Sequence, residues 1–452
     1  MIDRARELRT LVRLAGPLIL GYAGSQIMSV VDAAMVGRLG ASALAGVGIG
    51  NGIYFTVACL GLGCVAGMEA PVAQALGAGE IVRARRLLWQ GVRVAIGISA
   101  PLLVIMTLLP PLLPVIGVDP AATVEVRAYL YARMLNVVPF LLFNALRSYL
   151  QAVGSTRPIV AASIAGNIAN FIGNSLLIYG DATLVRLHLP AIGLPALGVA
   201  GSGIASTLAA TAMVLTLASA VKRVEAPPDP ERRRYDPALV RAILRLGIPN
   251  GLQVVAEVGV FALVGVLAGR IGATSAAAHT VAITLASFTF CVTLGIGAAT
   301  SVRVGRHIGA GDSAAARASG IVGLGASAAF MSFSAVMFLL FAPYLAAVLT
   351  DDPAVIAVAV PLLHVAALFQ ISDGLQATAS GALRGAGDPH APLWWNLVAH
   401  WTVGLPVAIL FGFRFHYGAV GLWWGLSLGL TVVAVALIGR FLRLSARPIR
   451  RV

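Results

Sequence analysis

Four carboxylates fall within or at the edges of long apolar stretches of this 452-residue sequence: Asp32, Glu69, Glu257 and Asp373. A charge at membrane depth costs at least about 2.5–3.5 kcal/mol by insertion scales, so each acid must face protein or water and do something there. Asp32 lies near the far end of the stretch Leu11 to Gly50, with Ser25 and Ser29 at i−7 and i−3 on one helical face. Glu257 shares a face with Asn250 and Gln253, and Asp373 lies at helical spacing from Gln370, Gln376 and Ser380. Asn167, Asn170 and Asn174 repeat at i, i+3 and i+7, a third polar stripe without charge. A carboxylate in a wet cavity can be neutralised by a proton or by an organic cation, and loading one releases the other. With access alternating between the two sides of a membrane, that competition is sufficient for exchange.

Each acid also has a structural alternative, as a group paired with an arginine or hydrogen-bonded to a neighbouring helix. That alternative suits Glu69, just before Pro71, whereas no arginine inside the spans is an evident partner for Asp32, Glu257 or Asp373. His279 and His364 read as packing or interhelical hydrogen-bonding residues, and Arg147 as an anchor reaching toward the membrane surface. Phe55, Phe288 and Phe290 suit core packing, or else contacts to aromatic compounds. Cys59, Cys64 and Cys291 have no paired spacing and read as buried packing residues rather than a disulfide or zinc framework.

The elements that must position these groups are transmembrane helices. With 59% hydrophobic residues, 11% charged residues and a mean hydropathy of +0.90, the chain is too apolar for a soluble globule. Apolar runs of about 20 residues or more give twelve spans, roughly at 11–37, 44–70, 90–116, 124–151, 158–180, 197–221, 240–268, 277–304, 317–349, 354–384, 391–413 and 418–441. The runs are continuous and rich in Leu, Ala and Val, unlike the alternating strands of an outer-membrane barrel. The polar start, with Arg4, Arg6, Arg9 and Arg13, is not a cleavable signal and is expected to stay attached.

The net charge of +14 does not indicate nucleic acid, because the basic residues gather in alternate loops. The amino terminus, Arg83, Arg85 and Arg86, Arg157, the central run Lys222 to Arg234, Arg303 with Arg306, and the tail from Arg443 to Arg451 share one side. That side is expected to be cytoplasmic, with both termini inside. The opposite loops hold Asp119, Glu125, Asp181, Asp351 and Asp352.

Midway, Pro227, Pro228 and Pro230 interrupt a run of charges that reads as a linker. The halves on either side repeat one another. Leu14-Ala15-Gly16-Pro17 returns as Leu246-Gly247-Ile248-Pro249, Gly37-Arg38-Leu39-Gly40-Ala41 as Gly269-Arg270-Ile271-Gly272-Ala273, and Gly77-Ala78-Gly79-Glu80 as Gly309-Ala310-Gly311-Asp312. The three matches share one register without a gap. The expected fold is therefore an all-α integral membrane protein of twelve transmembrane helices in two pseudo-symmetric six-helix lobes. An N-lobe over 1–221, a cytoplasmic linker over 222–239 and a C-lobe over 240–452 follow, the repeats being related by an axis along the membrane normal.

Val31-Asp32-Ala33-Ala34-Met35-Val36-Gly37-Arg38-Leu39-Gly40-Ala41 and Gln74-Ala75-Leu76-Gly77-Ala78-Gly79 resemble the opening signature of the multidrug and toxic compound extrusion (MATE) family. Tyr149-Leu150-Gln151-Ala152-Val153-Gly154-Ser155-Thr156-Arg157-Pro158 and Leu383-Arg384-Gly385-Ala386-Gly387-Asp388-Pro389 resemble its two inner-loop motifs. An acid in the first span, a glutamate in the seventh and an aspartate in the tenth resemble the NorM-type branch, and Asp32, Glu257 and Asp373 occupy those places. The resemblance implies a secondary antiporter of the bacterial inner membrane, exporting varied, often cationic and aromatic small molecules in exchange for protons or sodium ions. It implies Asp32, Glu257 and Asp373 as cation- or proton-coupling residues. Ser29, Gln253, Asn167, Asn170, Asn174, Gln370, Phe288 and Phe290 are the expected cavity-lining or substrate-contacting residues. Some relatives place an aspartate beside an asparagine in the fifth span. Here Asn170 and Asn174 leave Asp32 with neutral helpers.

Sodium, if used, would sit at Glu257 and Asp373. Sodium-coupled members of the family that the chain resembles can use an aromatic hydroxyl in the eighth span, and since Phe288 and Phe290 have none the resemblance implies protons. No cofactor, no resident metal and no nucleic-acid partner are expected, and the chain is expected to act as a monomer in the bilayer. Enzyme chemistry is not expected, since the spans offer no nucleophile with its base and no close set of metal ligands. A lipid-linked sugar flippase of the wider superfamily is the alternative, but it calls for a cationic cavity where these spans are acidic.

Overall fold

The computed structural model describes residues 4–114, 120–186 and 188–452, so Asp119 lies outside the described residues. Among those residues there is no strand, and twelve helices are long and apolar enough to cross a membrane. In order they are Arg4–Gly37, Ser42–Gly77, Ile81–Leu112, Thr123–Val153, Arg157–Tyr179, Gly198–Arg223, Pro237–Ile271, Ala273–Gly309, Ser313–Ala347, Pro353–Gly385, His390–Arg414 and Gly418–Leu444. An apolar segment with no water at hand must satisfy its backbone internally, and the helix does so within one stretch of chain.

Several helices overrun the apolar limits read from hydropathy. The third begins at Ile81 rather than near 90, because Arg83, Arg85 and Arg86 ride on its opening turns and helical bonding continues into polar surroundings. Three spans also carry local irregularity that hydropathy does not register. The second breaks after Ala66 and resumes at Glu69, the fourth passes through a 3-10 turn at Met134–Asn136, and the eleventh contains π-helical turns at Leu397–Gly404 and Leu410–Arg414.

The repeat is carried into backbone geometry. Gly79 and Gly311, which follow the second and eighth helices, share a φ of 78°, a left-handed conformation that favours glycine after a helix. Pro17 and Pro249 both sit inside their helices, the first and the seventh. Aspartates cap two helices of the second half, Asp312 accepting from the Ala315 amide and Asp352 from the Ala354 amide, each at 2.8 Å.

The chain forms two compact units. One contains Leu20–Met68 and Ile81–Gly251; the other contains the chain before Leu20, Glu69–Glu80 and Leu252–Val452. A division at the central linker therefore differs from the division by packing. The first turns of the first helix and the last turns of the second join the later helices, while the linker and the opening of the seventh helix join the earlier ones.

In the unit of later helices, Trp423 meets Phe369 with ring centres 5.4 Å apart, and Phe369 meets Phe261 edge-on at 5.9 Å. The eighth and tenth helices pack backbone to backbone. A Cβ on Gly381 would fall 2.3 Å from the Gly297 carbonyl, and one on Gly385 would fall 2.2 Å from that of Ser301. In the unit of earlier helices, Val36, Val47, Tyr129, Ile178 and Val199 form a buried cluster.

The linker there is docked along the third helix. Arg86 grips Asp229 with two hydrogen bonds at 2.7 and 3.1 Å, Gln90 donates to the Arg234 carbonyl at 2.7 Å, and Arg233 lies 4.4 Å over the Trp89 ring. The bonds from Arg86 hold the Asp229 carboxyl below the usual aspartate range.

Candidate functional site

Asp32 is buried on the first helix and faces the fifth and sixth. Asn170 and Asn174, four residues apart, stand on one face of the fifth helix and both donate Nδ2 to Asp32 Oδ1, at 2.9 and 2.6 Å. The Asn174 amide also reaches Asn170 Oδ1 at 3.1 Å, so the two side chains fix one another. The second carboxylate oxygen is held less closely, by the Ser206 hydroxyl at 3.4 Å.

That oxygen also faces Arg133, whose Nη1 lies 3.7 Å away; the two side chains are 8% and 14% exposed. The same Nη1 donates to Ser206 Oγ. The Arg133 guanidinium lies 4.8 Å over the Tyr54 ring and 5.5 Å over the Tyr129 ring. Asp32 thus has an arginine partner within the spans, contrary to the sequence expectation. The pair is assembled from residues 101 positions apart, at the point where the fourth span leaves its first helical segment. Desolvating two charges together is tolerable only because each keeps hydrogen-bond or aromatic partners besides the other.

Ser29, grouped by spacing with Asp32, and Asn167, grouped by spacing with Asn170 and Asn174, do not reach the acid. Ser29 is on an exposed face and its hydroxyl donates to the Ser25 carbonyl at 3.3 Å, as short polar side chains in helices commonly do. Asn167 donates to the Gly24 carbonyl at 3.0 Å and to Ser163 at 2.9 Å, joining the fifth helix to the first one level away from the acid.

The second group of carboxylates lies among the later helices. Glu257 accepts from Gln376 Nε2 at 3.2 Å, and Gln253 donates to Ser380 Oγ at 3.2 Å, so the seventh and tenth helices are tied at two levels. Asp373, buried one helical turn from Gln376, is close enough to Glu257 for the two charges to interact. Gln370 accepts from Thr289 at 2.7 Å and from Ser334 at 2.9 Å, joining the eighth and ninth helices to the tenth. Among the described residues no arginine or histidine lies within ion-pair distance of Glu257 or Asp373. The buried oxygens Gln253 Oε1 and Gln376 Oε1 have no hydrogen-bond partner. Carboxylates and amide oxygens are the ligand types that suit a hard cation.

Phe288 and Phe290 flank Thr289, and residues two apart on a helix point about 200° away from each other, so they form no single aromatic wall. Phe288 is 39% exposed and Phe55 is 44% exposed, which removes both from the core. His364 is exposed, whereas His279 accepts from Trp423 Nε1 at 3.2 Å, an interhelical bond. Arg147 lies 4.8 Å over the Tyr22 ring, turned to an aromatic face. Glu69 has Arg384 at 3.9 Å. The three cysteines are buried and unbridged.

The sequence matches the MatE family over residues 17–176 and 249–410, two stretches that begin at equivalent points of the repeat. The chain belongs to the MatE family. This MatE chain is 37% identical over 436 residues to a probable multidrug resistance protein NorM of Pseudomonas putida, covering 95% of this chain and 93% of that one. It is 38% identical to a probable multidrug resistance protein NorM of Deinococcus radiodurans, covering 98% and 96%. It is 34% identical to the multidrug resistance protein PmpM of Pseudomonas aeruginosa, covering 98% and 93%. Its fold matches a crystal structure of MATE in the straight conformation with a TM-score of 0.87 at 19% identity, over 97% and 96% of the two chains. The eukaryotic MATE transporter AtDTX14 matches with 0.86 at 22% identity, over 98% and 96%.

Two charged groups of this MatE chain escaped the sequence reading. Arg133 is one, and the test applied to the four acids, a charge inside an apolar run, would have found it. Glu7 is the other, 4% exposed, gripped by Arg303 at 2.8 and 2.6 Å and by the Ser319 hydroxyl at 2.6 Å. It lies in the polar opening of the first helix, where nothing in the sequence separates a buried acid from a solvated one.

Proposed function

We propose that this chain is a multidrug efflux transporter, a secondary antiporter that exports organic, often cationic and aromatic compounds in exchange for protons, with sodium as the alternative coupling ion. It works by alternating access as a monomer in the bacterial inner membrane, with both termini on the cytoplasmic side. Asp32 is the exchange site of the first unit, and Glu257 with Asp373 is a cation-binding pair in the second.

The observation that carries this reading is the buried Asp32 carboxylate, one oxygen saturated by Asn170 and Asn174 and the other loosely held. Such a group is fixed in place yet retains an open lone pair for a proton or a cation. Support also comes from relatives named multidrug resistance proteins that align along nearly the whole chain. The driving force is adequate without ATP, since one pH unit supplies about 1.4 kcal/mol per proton and 100 mV supplies about 2.3 kcal/mol per charge moved.

The test is ethidium efflux from purified protein in liposomes, with proton and sodium gradients imposed separately, for wild type and Asp32→Asn. Efflux driven by protons and abolished in the variant is the expected result. Coupling by sodium alone, or in the variant as in wild type, would transfer the exchange to Glu257 and Asp373. No efflux under either gradient would overturn the reading.

A further inference from the structure

The guanidinium of Arg133 has two sets of partners. The first is Asp32 Oδ2, 3.7 Å from Nη1 and so beyond hydrogen-bond distance, while Oδ1 of the same carboxylate holds two amides at 2.9 and 2.6 Å. The Ser206 hydroxyl stands between guanidinium and carboxylate, accepting from Nη1 and donating to Asp32 Oδ2 at 3.4 Å, and the second set, the Tyr54 and Tyr129 rings, lies against the guanidinium at 4.8 and 5.5 Å. The two ring faces form a place where a guanidinium can rest without a carboxylate. The Nε atom of Arg133 is buried without a hydrogen-bond partner. The backbone at Arg133 is where the helix Pro120–Arg133 gives way to the 3-10 turn Met134–Asn136, and Tyr54 donates its hydroxyl to Asn136 at 3.3 Å. Short 3-10 segments inside longer helices commonly mark hinges.

We propose that Arg133 is an internal counter-cation for Asp32. It neutralises the acid when neither a proton nor a transported cation does so, and it withdraws onto the Tyr54 and Tyr129 rings when one of them binds. The inference rests on Asp32 being the exchange site. It explains why the contact is loose: a tight bidentate pair would leave no lone pair for a competitor, whereas a pair at 3.7 Å still spares the empty site an uncompensated buried charge. A tethered cation of this kind competes with every incoming one, so it lowers apparent affinity and favours release.

The test is ethidium binding to the purified full chain in detergent at one fixed pH, followed by fluorescence polarisation. Arg133→Gln is expected to bind about tenfold more tightly, because the tethered competitor is gone. Tyr54→Leu is expected to bind several-fold more weakly, because the guanidinium loses its other resting place. In the double variant Arg133→Gln/Tyr54→Leu the weakening disappears. A merely structural role for Arg133 would not give effects of opposite sign.

Asp32→Asn separates this proposal from the one it rests on. If wild type binds no ethidium, or Asp32→Asn binds as wild type does, both fall. If Asp32→Asn loses binding while Arg133→Gln leaves it unchanged or weaker, the exchange site stands and the counter-cation is overturned. Should Arg133→Gln not fold, Tyr54→Leu decides, with weaker binding in support and unchanged or tighter binding against.

Discussion

The carboxylates of the two units sit in opposite electrostatic settings. Asp32 has a guanidinium beside it, two amides on one oxygen and a hydroxyl on the other, so its site is balanced in charge before anything binds. Glu257 has an amide partner in Gln376, the neighbouring Gln253 and Gln376 oxygens lack donors, and neither Glu257 nor Asp373 has a cation within ion-pair distance among the described residues. Helices in matching positions of a repeat have thus produced one site with a cation at ion-pair distance and one without. The lesson is that the number of acids in a bundle does not fix its capacity for cations. What matters is how many of those acids already have a positive partner.

The contrast is most exposed to stability measurements. Asp32→Leu leaves the Asn170 and Asn174 amides without the acceptor they share, and chemical unfolding in detergent should show a loss of about 1–3 kcal/mol for each donor left unsatisfied. Glu257→Leu, by relieving a crowded pair of acids, should cost far less or stabilise the protein. Equal losses at the two positions would break the comparison.

The next effect is on sodium. Sodium at a hundred times its dissociation constant should stabilise by about 2.7 kcal/mol, read as a shift in melting temperature against potassium at equal ionic strength. Wild type and Asp32→Asn should show it, and Glu257→Gln/Asp373→Asn should not. A shift lost in Asp32→Asn instead would place the ion at Asp32.

The smallest difference separates the amides. Asn174→Ala removes a donor from a charged, paired acid and should cost about 1.5–3 kcal/mol, whereas Gln376→Ala removes a longer bond beside a freer acid and should cost about 1 kcal/mol. Equilibrium unfolding of the two variants side by side sharpens the ranking of the two sites.

Much of this architecture was legible in the sequence. Twelve apolar runs leave little alternative to twelve helices, and motifs in one register, such as the one containing Gly79 and Gly311, foretold a repeat that the backbone conformation reproduces. The link between Asp32 and the two asparagines was legible through family resemblance. Helical periodicity alone placed Ser29 and Asn167 in the same group, and both turned out to be bonded to backbone carbonyls elsewhere. Periodicity reports which face a residue occupies on its own helix and is silent about which neighbour meets that face. Arg133 could have been singled out as a charge inside an apolar run, but its pairing with Asp32 could not, since only the crossing of the first and fourth spans makes the pair. Phe288 and Phe55 look like core residues in composition, but inside a bilayer an aromatic ring needs no protein cover.

The docked linker has a consequence for how this polypeptide can be taken apart. In a duplicated chain the connector is the natural place to cut, giving two fragments to be expressed and recombined. Here the stretch after Val221 lies along the third helix, where it covers Trp89 and supplies acceptors to Arg85, Arg86 and Gln90. A nick on the near side of the prolines would strip that strap from the helix it covers and leave it hanging from the wrong fragment. A nick after Asp236 would leave it in place. The repeat is therefore not modular at its own seam, because the spacer packs with the half that precedes it.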